Sequence, residues 1–271
     1  MEISYCKFNP TGNITLIAET PVLRESQAAV AAKLMALDKG AEQVGFIEKP
    51  TDEKCALRLQ MMGGEFCGNA TISAAALYML KKNPVVGDKE DVLLEVSGVD
   101  ETLCVSVECV GENGFSGTVS MPLPESNFDC ELVCGGKSYT LPVIHMPGIC
   151  HAIVTGGISP ALAEEAIGEW CRQLNAEALG IMFYDEAQKL LNPLVYVEST
   201  QSTVWESSCA SGSCAVAAFE SFKSGESTSL SLKQPGGTLA VKSFCKSGAL
   251  FDITLTGTVV LCGEYSATID S

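Results

Sequence analysis

The chain has 271 residues, of which 46% are hydrophobic and 18% charged, a balance typical of a globular protein with a buried core. Its formal net charge of −16 comes from acidic residues scattered along the chain, and such a surface repels phosphate backbones and anionic lipids. Composition and charge therefore argue against nucleic acid and membrane surfaces as partners.

The first residues lack the basic and then apolar pattern of a signal peptide, and the longest apolar stretches, such as 72–80, are shorter than the ~20 residues that span a bilayer. We therefore expect a cytoplasmic protein. Its 13 cysteines should be reduced there, and an odd number excludes complete intramolecular pairing. Close pairs such as Cys130 and Cys134 match zinc-ligand spacing only marginally, and the chain has two histidines, so we predict no metal site.

The first half of the chain predicts an α+β domain. Alternating or continuous apolar residues predict strands at 3–8, 13–17, 44–48, 56–60 and 103–108. A helix is expected over roughly 25–39, between the second and third strands. After the fourth strand, Cys67 precedes a turn of small residues and an apolar helix.

The second half repeats this order. Ser159 is a candidate N-cap, with Pro160 in the first turn of the helix that follows. Cys209 precedes a second small-residue turn and a second apolar helix. Strands are predicted near 141–145, 152–154, 181–184, 194–198, 239–243 and 251–256. The repetition predicts two α+β domains related by pseudo-symmetry, with a boundary near 122–124.

Each of the two cysteines lies just outside the start of an apolar helix. The unpaired N–H groups and partial positive charge of a helix N-terminus bind carboxylates, and the same field should lower the thiol pKa toward neutrality. Small residues would let a ligand approach the backbone closely at Gly68, Ala70, Ala210 and Gly212. Cys214, inside the second helix, is interpreted as a buried packing residue.

Two such turns could hold an amino acid by its α-carboxylate with a sulfur on each face of the α-carbon. One thiolate would remove the α-proton and the opposite thiol would deliver a proton to the other face, which inverts the centre. Fixed dipoles in a dry cavity must stabilise the carbanion, because this mechanism uses no cofactor. A single cysteine at a helix start is more often a packing residue. Two cysteines at the same position in a repeated order of strands and helices favour a catalytic role.

At these residues the chain resembles the diaminopimelate epimerase and proline racemase superfamily of cofactor-independent racemases. The resemblance rests on Lys7–Asn13, the Cys67 turn, His151-Ala152 and the Cys209 turn. It implies two pseudo-symmetric α+β lobes, each a curved sheet around a central apolar helix, with the active site in the cleft between them. The lobes would span 1–121 and 122–257, and the final strand, in 258–271, would return to the first lobe. A homodimer is a further implication.

The resemblance also implies which residues hold the amino-acid end of the substrate: Asn13, Gln43, Gly68, Asn69, Ser211 and Gly212. Diaminopimelate epimerases carry a Glu-Arg pair for the far end of their substrate, whereas this chain has Thr200 and Gln201 at that place. Two family asparagines are replaced, around 149–150 and at Gly180. These departures argue against a substrate with a second amino-acid head group. Proline racemases typically carry a histidine where this chain has Asn69.

A closer likeness is to the histidine racemases of metallophore pathways, on the segments Glu42–Glu48, Glu65–Thr71 and Gln234–Gly237. It implies interconversion of L- and D-histidine. Candidates to recognise the imidazole are Glu42, Gln201 and Glu206, although each could instead be a solvated or capping residue. The segment 234–237 could order a loop near the site or form a tight turn. His145 and His151 are either catalytic or, more commonly for such residues, structural.

Three alternatives remain open at this point. The chain could be a diaminopimelate epimerase, or a racemase of another amino acid. It could be a thiol redox protein with Cys209 and Cys214 as the reactive pair, although helix geometry should point Cys214 into the core. It could also be a non-catalytic binding protein of the same fold, which would need neither Cys67 nor Cys209.

Overall fold

The computed structural model describes residues 1–269, and these fall into two compact units. Unit 1 contains Met1–Ser120 together with the segment from Thr256 onward, and unit 2 is the continuous segment Met121–Leu255. The described residues form 16 strands and four helices, a mixed α/β architecture. No helix within residues 1–269 is long and apolar enough to cross a membrane.

The elements before residue 121 follow the predicted order of two strands, a helix, two strands, an apolar helix and closing strands. They are β1 (Glu2–Pro10), β2 (Thr15–Ala18), α1 (Arg24–Leu37), β3 (Gln43–Glu48), β4 (Leu57–Met61), α2 (Gly68–Leu80), β5 (Lys89–Val96), β6 (Leu103–Cys109) and β7 (Gly114–Ser120).

The later elements repeat the pattern of strands, helix, strands, apolar helix and strands. They are β8 (Ser126–Cys134), β9 (Lys137–Met146), β10 (Ile149–Val154), α3 (Pro160–Gln173), β11 (Ala178–Asp185), β12 (Leu190–Val197), β13 (Ser202–Trp205), α4 (Ala210–Ser224), β14 (Thr228–Gln234), β15 (Gly237–Lys246) and β16 (Ala249–Thr268).

The strands of unit 1 run in the order β1-β2-β3-β4-β5-β6-β7-β16, and β16 pairs back with β1, which closes the ring of strands. This last pairing is antiparallel, from Glu2 opposite Thr268 to Pro10 opposite Val259, with a bulge at Lys7/Phe8. Helix α2 contacts β1, β2 and β4–β7, and so it fills the centre of the unit. Gly117 of β7 permits this close packing, since an added Cβ there would lie 2.3 Å from Cγ2 of Ile72.

The strands of unit 2 run in the order β16-β15-β14-β12-β11-β10-β9-β8, and β13 adds to β12. Helix α4 contacts β9, β10, β11, β14 and β15 and is buried along almost all of its length. Helix α3 packs against β8, β11 and β12 through the fully buried Trp170, whose indole Nε1 donates to the carbonyl of Val133 at 3.1 Å.

The predicted helix signals are confirmed. Ser159 caps α3, since its Oγ accepts from the backbone N–H of Leu162 at 3.2 Å, and Pro160 is the first helical residue. Helix α4 ends at Gly225, whose left-handed conformation, φ 74°, closes the last turn as glycine does at many helix ends.

Five strands lie outside the ranges predicted from the sequence, namely β5, β7, β8, β13 and β14. Strand β8 has a single fully buried residue, Leu132, and all four residues of β13 are exposed, so neither carries a clear apolar alternation. The predicted strands at 251–256 and 259–269 instead form one continuous strand, β16.

Candidate active site

Cys67 is the N-cap residue of α2. Its backbone is extended, with φ −134° and ψ 111°, and its Sγ accepts from the backbone N–H of Ala70 at 3.5 Å. Its carbonyl oxygen accepts from the Thr71 hydroxyl at 2.8 Å and from the Thr71 N–H at 2.9 Å. The sulfur therefore occupies the place that a serine or aspartate oxygen takes in an ordinary helix cap, beside the positive end of the helix.

Cys209 caps α4 in the same way. Its φ and ψ are −120° and 113°, its Sγ accepts from the Gly212 N–H at 3.4 Å, and its carbonyl accepts from the Ser213 hydroxyl at 2.6 Å. The two units thus each place a thiol at the N-terminus of a buried apolar helix. Cys214, one turn further into α4, is completely buried, as predicted.

The environments of the two thiols differ. Cys67 is partly exposed, whereas Cys209 is 6% exposed. Burial raises the pKa of Cys209 well above its usual value, and the Glu206 carboxylate, which also accepts a hydrogen bond from the thiol, raises it further. Hydrogen bonds from Ser211 and the Gly212 N–H oppose this shift of the pKa but do not reverse it. The predicted lowering of the pKa is therefore wrong for Cys209, because desolvation and a neighbouring carboxylate outweigh the helix N-terminus.

Three of the predicted substrate-binding residues of unit 1 form one buried amide cluster. The side-chain oxygen of Asn13 accepts from Gln43 Nε2 at 2.6 Å and from Asn69 Nδ2 at 3.4 Å. Gln43 Nε2 also lies 2.7 Å from the hydroxyl oxygen of Thr15. Since Asn69 is in the first turn of α2, directly after Gly68, the cluster adjoins the Cys67 turn.

Glu42 joins this cluster through a short hydrogen bond from Asn13 Nδ2 to its Oε2. This contact sets the orientation of the Asn13 amide, with Oδ1 toward Gln43 and Asn69 and Nδ2 toward the carboxylate. Unit 1 therefore brings together Asn13, Glu42, Gln43 and Asn69, which combine amide groups with one negative charge.

In unit 2, Ser211 lies between His151 and Cys209. Its Oγ is 3.1 Å from His151 Nε2 and 3.6 Å from Cys209 Sγ. His151 is fully buried, and burial lowers its pKa to about 3, so the imidazole is neutral at physiological pH. Gly212 is closely packed, since an added Cβ would lie 2.3 Å from Met182 Sδ and 3.2 Å from Cys209 Sγ, and a side chain there would have to displace them.

Thr200 and Gln201 lie in the exposed turn between β12 and β13. The Thr200 hydroxyl is 2.7 Å from that of Ser202, and Gln201 adopts a left-handed conformation, φ 51°. Their hydrogen bonds within the described chain stay inside 197–202, so the structure does not join them to the Cys209 turn.

Sequence analysis singled out the segment 234–237 but did not assign Gln234 itself to the site. Gln234, at the end of β14, is 8% exposed and accepts from the backbone N–H of Cys209 at 2.8 Å through Oε1. Of the two alternatives for 234–237, the tight turn is present, with Gln234 opposite Gly237, and the segment also contacts the Cys209 turn. The motif at 234–237 was visible in the sequence. The contact of Gln234 with Cys209, 25 residues away, could not be predicted from that motif, because it depends on the tertiary fold. Across residues 1–269, no three His, Cys, Asp or Glu side chains are arranged to hold a metal ion.

Comparison with solved structures identifies the fold. The chain is similar to a hydroxyproline epimerase from Agrobacterium vitis, with a TM-score of 0.70 and 11% identity over 100% of this chain and 93% of that one. It is also similar to a phenazine biosynthesis protein of the PhzF family from Bacillus anthracis, with a TM-score of 0.69 and 14% identity over 99% and 100% of the two chains. The fold is therefore that of the proline racemases and PhzF-like epimerases.

Comparison of sequences identifies the family to which the chain belongs. The model of the histidine racemase CntK N-terminal domain matches residues 2–267. The histidine racemase of Staphylococcus aureus is 29% identical over 89% of this chain and 88% of its own length, and that of Fusobacterium nucleatum is 31% identical over 79% and 80%. The chain belongs to the histidine racemase family and is an isomerase of the amino-acid racemase class, which confirms the leading prediction.

Proposed function

We propose that this chain interconverts L- and D-histidine without a cofactor, with Cys67 and Cys209 as the two groups that transfer protons. The observation that carries the proposal is the shared geometry of the two thiols. Each is the N-cap of a buried apolar helix, with its Sγ within 3.5 Å of a first-turn N–H group. The N-terminus of a helix can bind an anionic carboxylate. Unit 1 supplies one of the two sulfurs and unit 2 supplies the other.

The protonation of Cys209 suggests how the cycle begins. Because the pKa of Cys209 is raised, its sulfur carries the proton in the resting enzyme and is the proton donor in one direction. The Cys67 thiolate takes the α-proton of one enantiomer, and the Cys209 thiol protonates the opposite face of the α-carbon. The reverse reaction starts from the Cys67 thiol and the Cys209 thiolate. Charge that moves from the α-carbon onto the carboxylate is stabilised by helix N–H groups.

The polar residues around each cysteine hold the substrate in this proposal. Gly68 and the amide cluster of Asn13, Gln43 and Asn69 bind the amino-acid end from unit 1, and the backbone of Ser211 and Gly212 binds it from unit 2. Glu42 and Glu206 offer negative charge to the ammonium or imidazole group. Thr200 and Gln201 would contact the far end of the substrate only if substrate binding brings their turn to the Cys209 turn, and they carry no charge, which suits a side chain without a second amino-acid head group.

We also propose that the two units are the pseudo-symmetric lobes expected from the sequence, 1–121 with 258–271 and 122–257, and that the enzyme is a cytoplasmic homodimer. The return of β16 to pair with β1 supports this division of the chain. The resemblance to cofactor-independent racemases supports the dimer.

The test combines substrate and mechanism. The purified protein is incubated in D₂O, with no cofactor added, with each L-amino acid and with LL-diaminopimelate. Chiral chromatography and mass spectrometry then report inversion and α-deuterium content. We expect D-histidine with one deuterium, and no such product from Cys67→Ala or Cys209→Ala. Cys214→Ala, which removes a buried thiol of α4 outside the proposed site, is the matched control and should remain active. Absence of exchange and inversion with every substrate would overturn the proposal.

A further inference from the structure

The carboxamide of Gln234 belongs to a closed ring of three hydrogen bonds around the Cys209 peptide. The Cys209 N–H donates to Gln234 Oε1 at 2.8 Å, Gln234 Nε2 donates to Ser213 Oγ at 2.9 Å, and the Ser213 hydroxyl donates to the Cys209 carbonyl at 2.6 Å. All three residues are less than 9% exposed. The ring lies entirely within unit 2.

The direction of each hydrogen bond in the ring is determined. A backbone N–H can only donate, so the atom facing Cys209 N must be the amide oxygen of Gln234. A backbone carbonyl can only accept, so the Ser213 hydroxyl gives its one proton to Cys209 and must accept from Gln234 Nε2. Reversal of the amide would leave a buried N–H facing another N–H. Glutamine is therefore the side chain that matches this site in both length and polarity.

The ring holds Cys209 from both sides of its α-carbon. The contact between the Cys209 carbonyl and Ser213 has a counterpart at Cys67, whose carbonyl accepts from Thr71. Gln234 adds a restraint on the backbone N–H of Cys209. The hairpin that carries Gln234 is itself held to the segment before Cys209, because the Gly236 N–H donates to the Ser207 carbonyl at 2.8 Å. With the peptide held, rotation about the Cα–Cβ bond is the remaining freedom of the sulfur.

We propose that Gln234 is a positioning residue for the proton transfer by Cys209, and that Ser213 acts with it. The inference rests on the proposed function, since it assigns a purpose to the placement of that thiol. Gln234 does not touch the reacting atoms. Loss of its carboxamide should let the Cys209 turn shift, and displacement of a reacting group by about 1 Å can lower turnover by two orders of magnitude.

The test uses Gln234→Leu, with Ser213→Ala as an independent break in the ring. L- and D-histidine are incubated separately in D₂O, and the rates of α-deuterium exchange and of inversion are compared. The enantiomer that gives its proton to Cys67 can still exchange when Cys209 is displaced, whereas the other enantiomer loses both exchange and inversion. We expect inversion to fall by about 10- to 100-fold, and the ratio of exchange to inversion to rise for one enantiomer only.

The matched control is Gln27→Leu. Gln27 is 3% exposed, and its Nε2 donates to the Val22 carbonyl and the Glu48 carboxylate, so its loss also removes buried hydrogen bonds, but from helix α1. This control should lower stability without changing the ratio of exchange to inversion.

A second readout does not depend on turnover. Alkylation of Cys209 and of Cys67 is followed in the same sample by peptide mass spectrometry, and in Gln234→Leu the Cys209 rate should rise at least about threefold relative to the Cys67 rate as the turn loosens. Unchanged ratios of exchange to inversion and of alkylation in both ring variants would overturn the inference. A wild-type protein that neither exchanges nor inverts histidine would instead overturn the proposed function, and the alkylation ratio would still decide whether Gln234 holds Cys209.

Discussion

His151 and Gly180 lie directly opposite each other in the parallel β10–β11 pair, and a Cβ added to Gly180 would lie 2.3 Å from His151 Nδ1. The ring cannot move away easily, because it is fully buried and its Nε2 is held by Ser211. A side chain at position 180 and the imidazole thus compete for one space. Glycine at position 180, where the resemblance implies an asparagine, leaves this space to the imidazole.

Gly180→Ala should therefore destabilise unit 2. Overpacking of a buried site typically costs about 1–3 kcal/mol, and we expect that loss in the free energy of unfolding measured with urea. Gly111→Ala is the control, since its added Cβ would have neighbours no closer than 3.9 Å. Equal losses in the two variants would show that the contact with His151 carries no cost.

His151 should also make stability depend on pH. Burial lowers its folded pKa to about 3, below the ordinary value of 6.5, so the unfolded chain binds a proton that the folded chain does not. The stability is therefore unaffected by this group above pH 6.5 and falls as the pH decreases from 6.5 toward 3. Between pH 6.5 and 5 the slope should approach about 1.4 kcal/mol per pH unit. Urea unfolding should show this slope in wild type and in His145→Gln, but a smaller slope in His151→Gln.

Glu206 should control the titration of Cys209. Its carboxylate is the second cause of the raised thiol pKa, after burial, so Glu206→Gln should lower that pKa. The pH midpoint for alkylation of Cys209, followed by peptide mass spectrometry, should move to lower pH in this variant. Glu165→Gln, which removes an exposed carboxylate from α3 of the same unit, should leave the midpoint in place. A midpoint that moves equally in both variants would point to net charge rather than to direct contact.

The amide cluster of unit 1 offers a test by double substitution. Asn13→Asp keeps an acceptor for Gln43 and Asn69 but places a second carboxylate against Glu42, where Asn13 now donates. We expect a loss of about 1–3 kcal/mol in the free energy of unfolding and a higher KM for histidine. Adding Glu42→Gln restores a donor at this contact and should recover most of the loss. Additive effects of the two substitutions would rule out the coupling.

Most of the fold could be predicted because its signals are local. The apolar helices beginning after Cys67 and Cys209, the Ser159 cap and the alternating strands each depend on residues close together in the chain. Strand β13 could not be predicted, since its four residues are all exposed and pair with β12 only through the backbone. The two segments of β16 were predicted as separate strands because 251–256 ends the second half, whereas the resemblance returns the final strand to the first lobe; the structure joins them in one strand.

The candidate site was predicted less completely. The position of Cys209 at a helix start was evident, but its raised pKa arises from burial and from Glu206, and a helix pattern reports neither. The contact of Gln234 with Cys209 joins residues 25 positions apart and depends on the β14–β15 hairpin. Local pattern therefore indicated the two thiols that we propose as the reacting groups, whereas their electrostatics and restraint required the tertiary structure.

The path of β16 has a consequence for folding during synthesis. Unit 2 is one continuous segment, so it can fold as soon as its last residue has left the ribosome. Unit 1 is completed later, because the second edge of β1 pairs with β16 near the end of the chain. Thr11, just after β1, likewise contacts the Thr258 carbonyl 247 residues later. Until β16 has been synthesised, β1 and β7 each have an unpaired edge on the nascent chain. A chaperone that covers exposed strands can bind them at this stage.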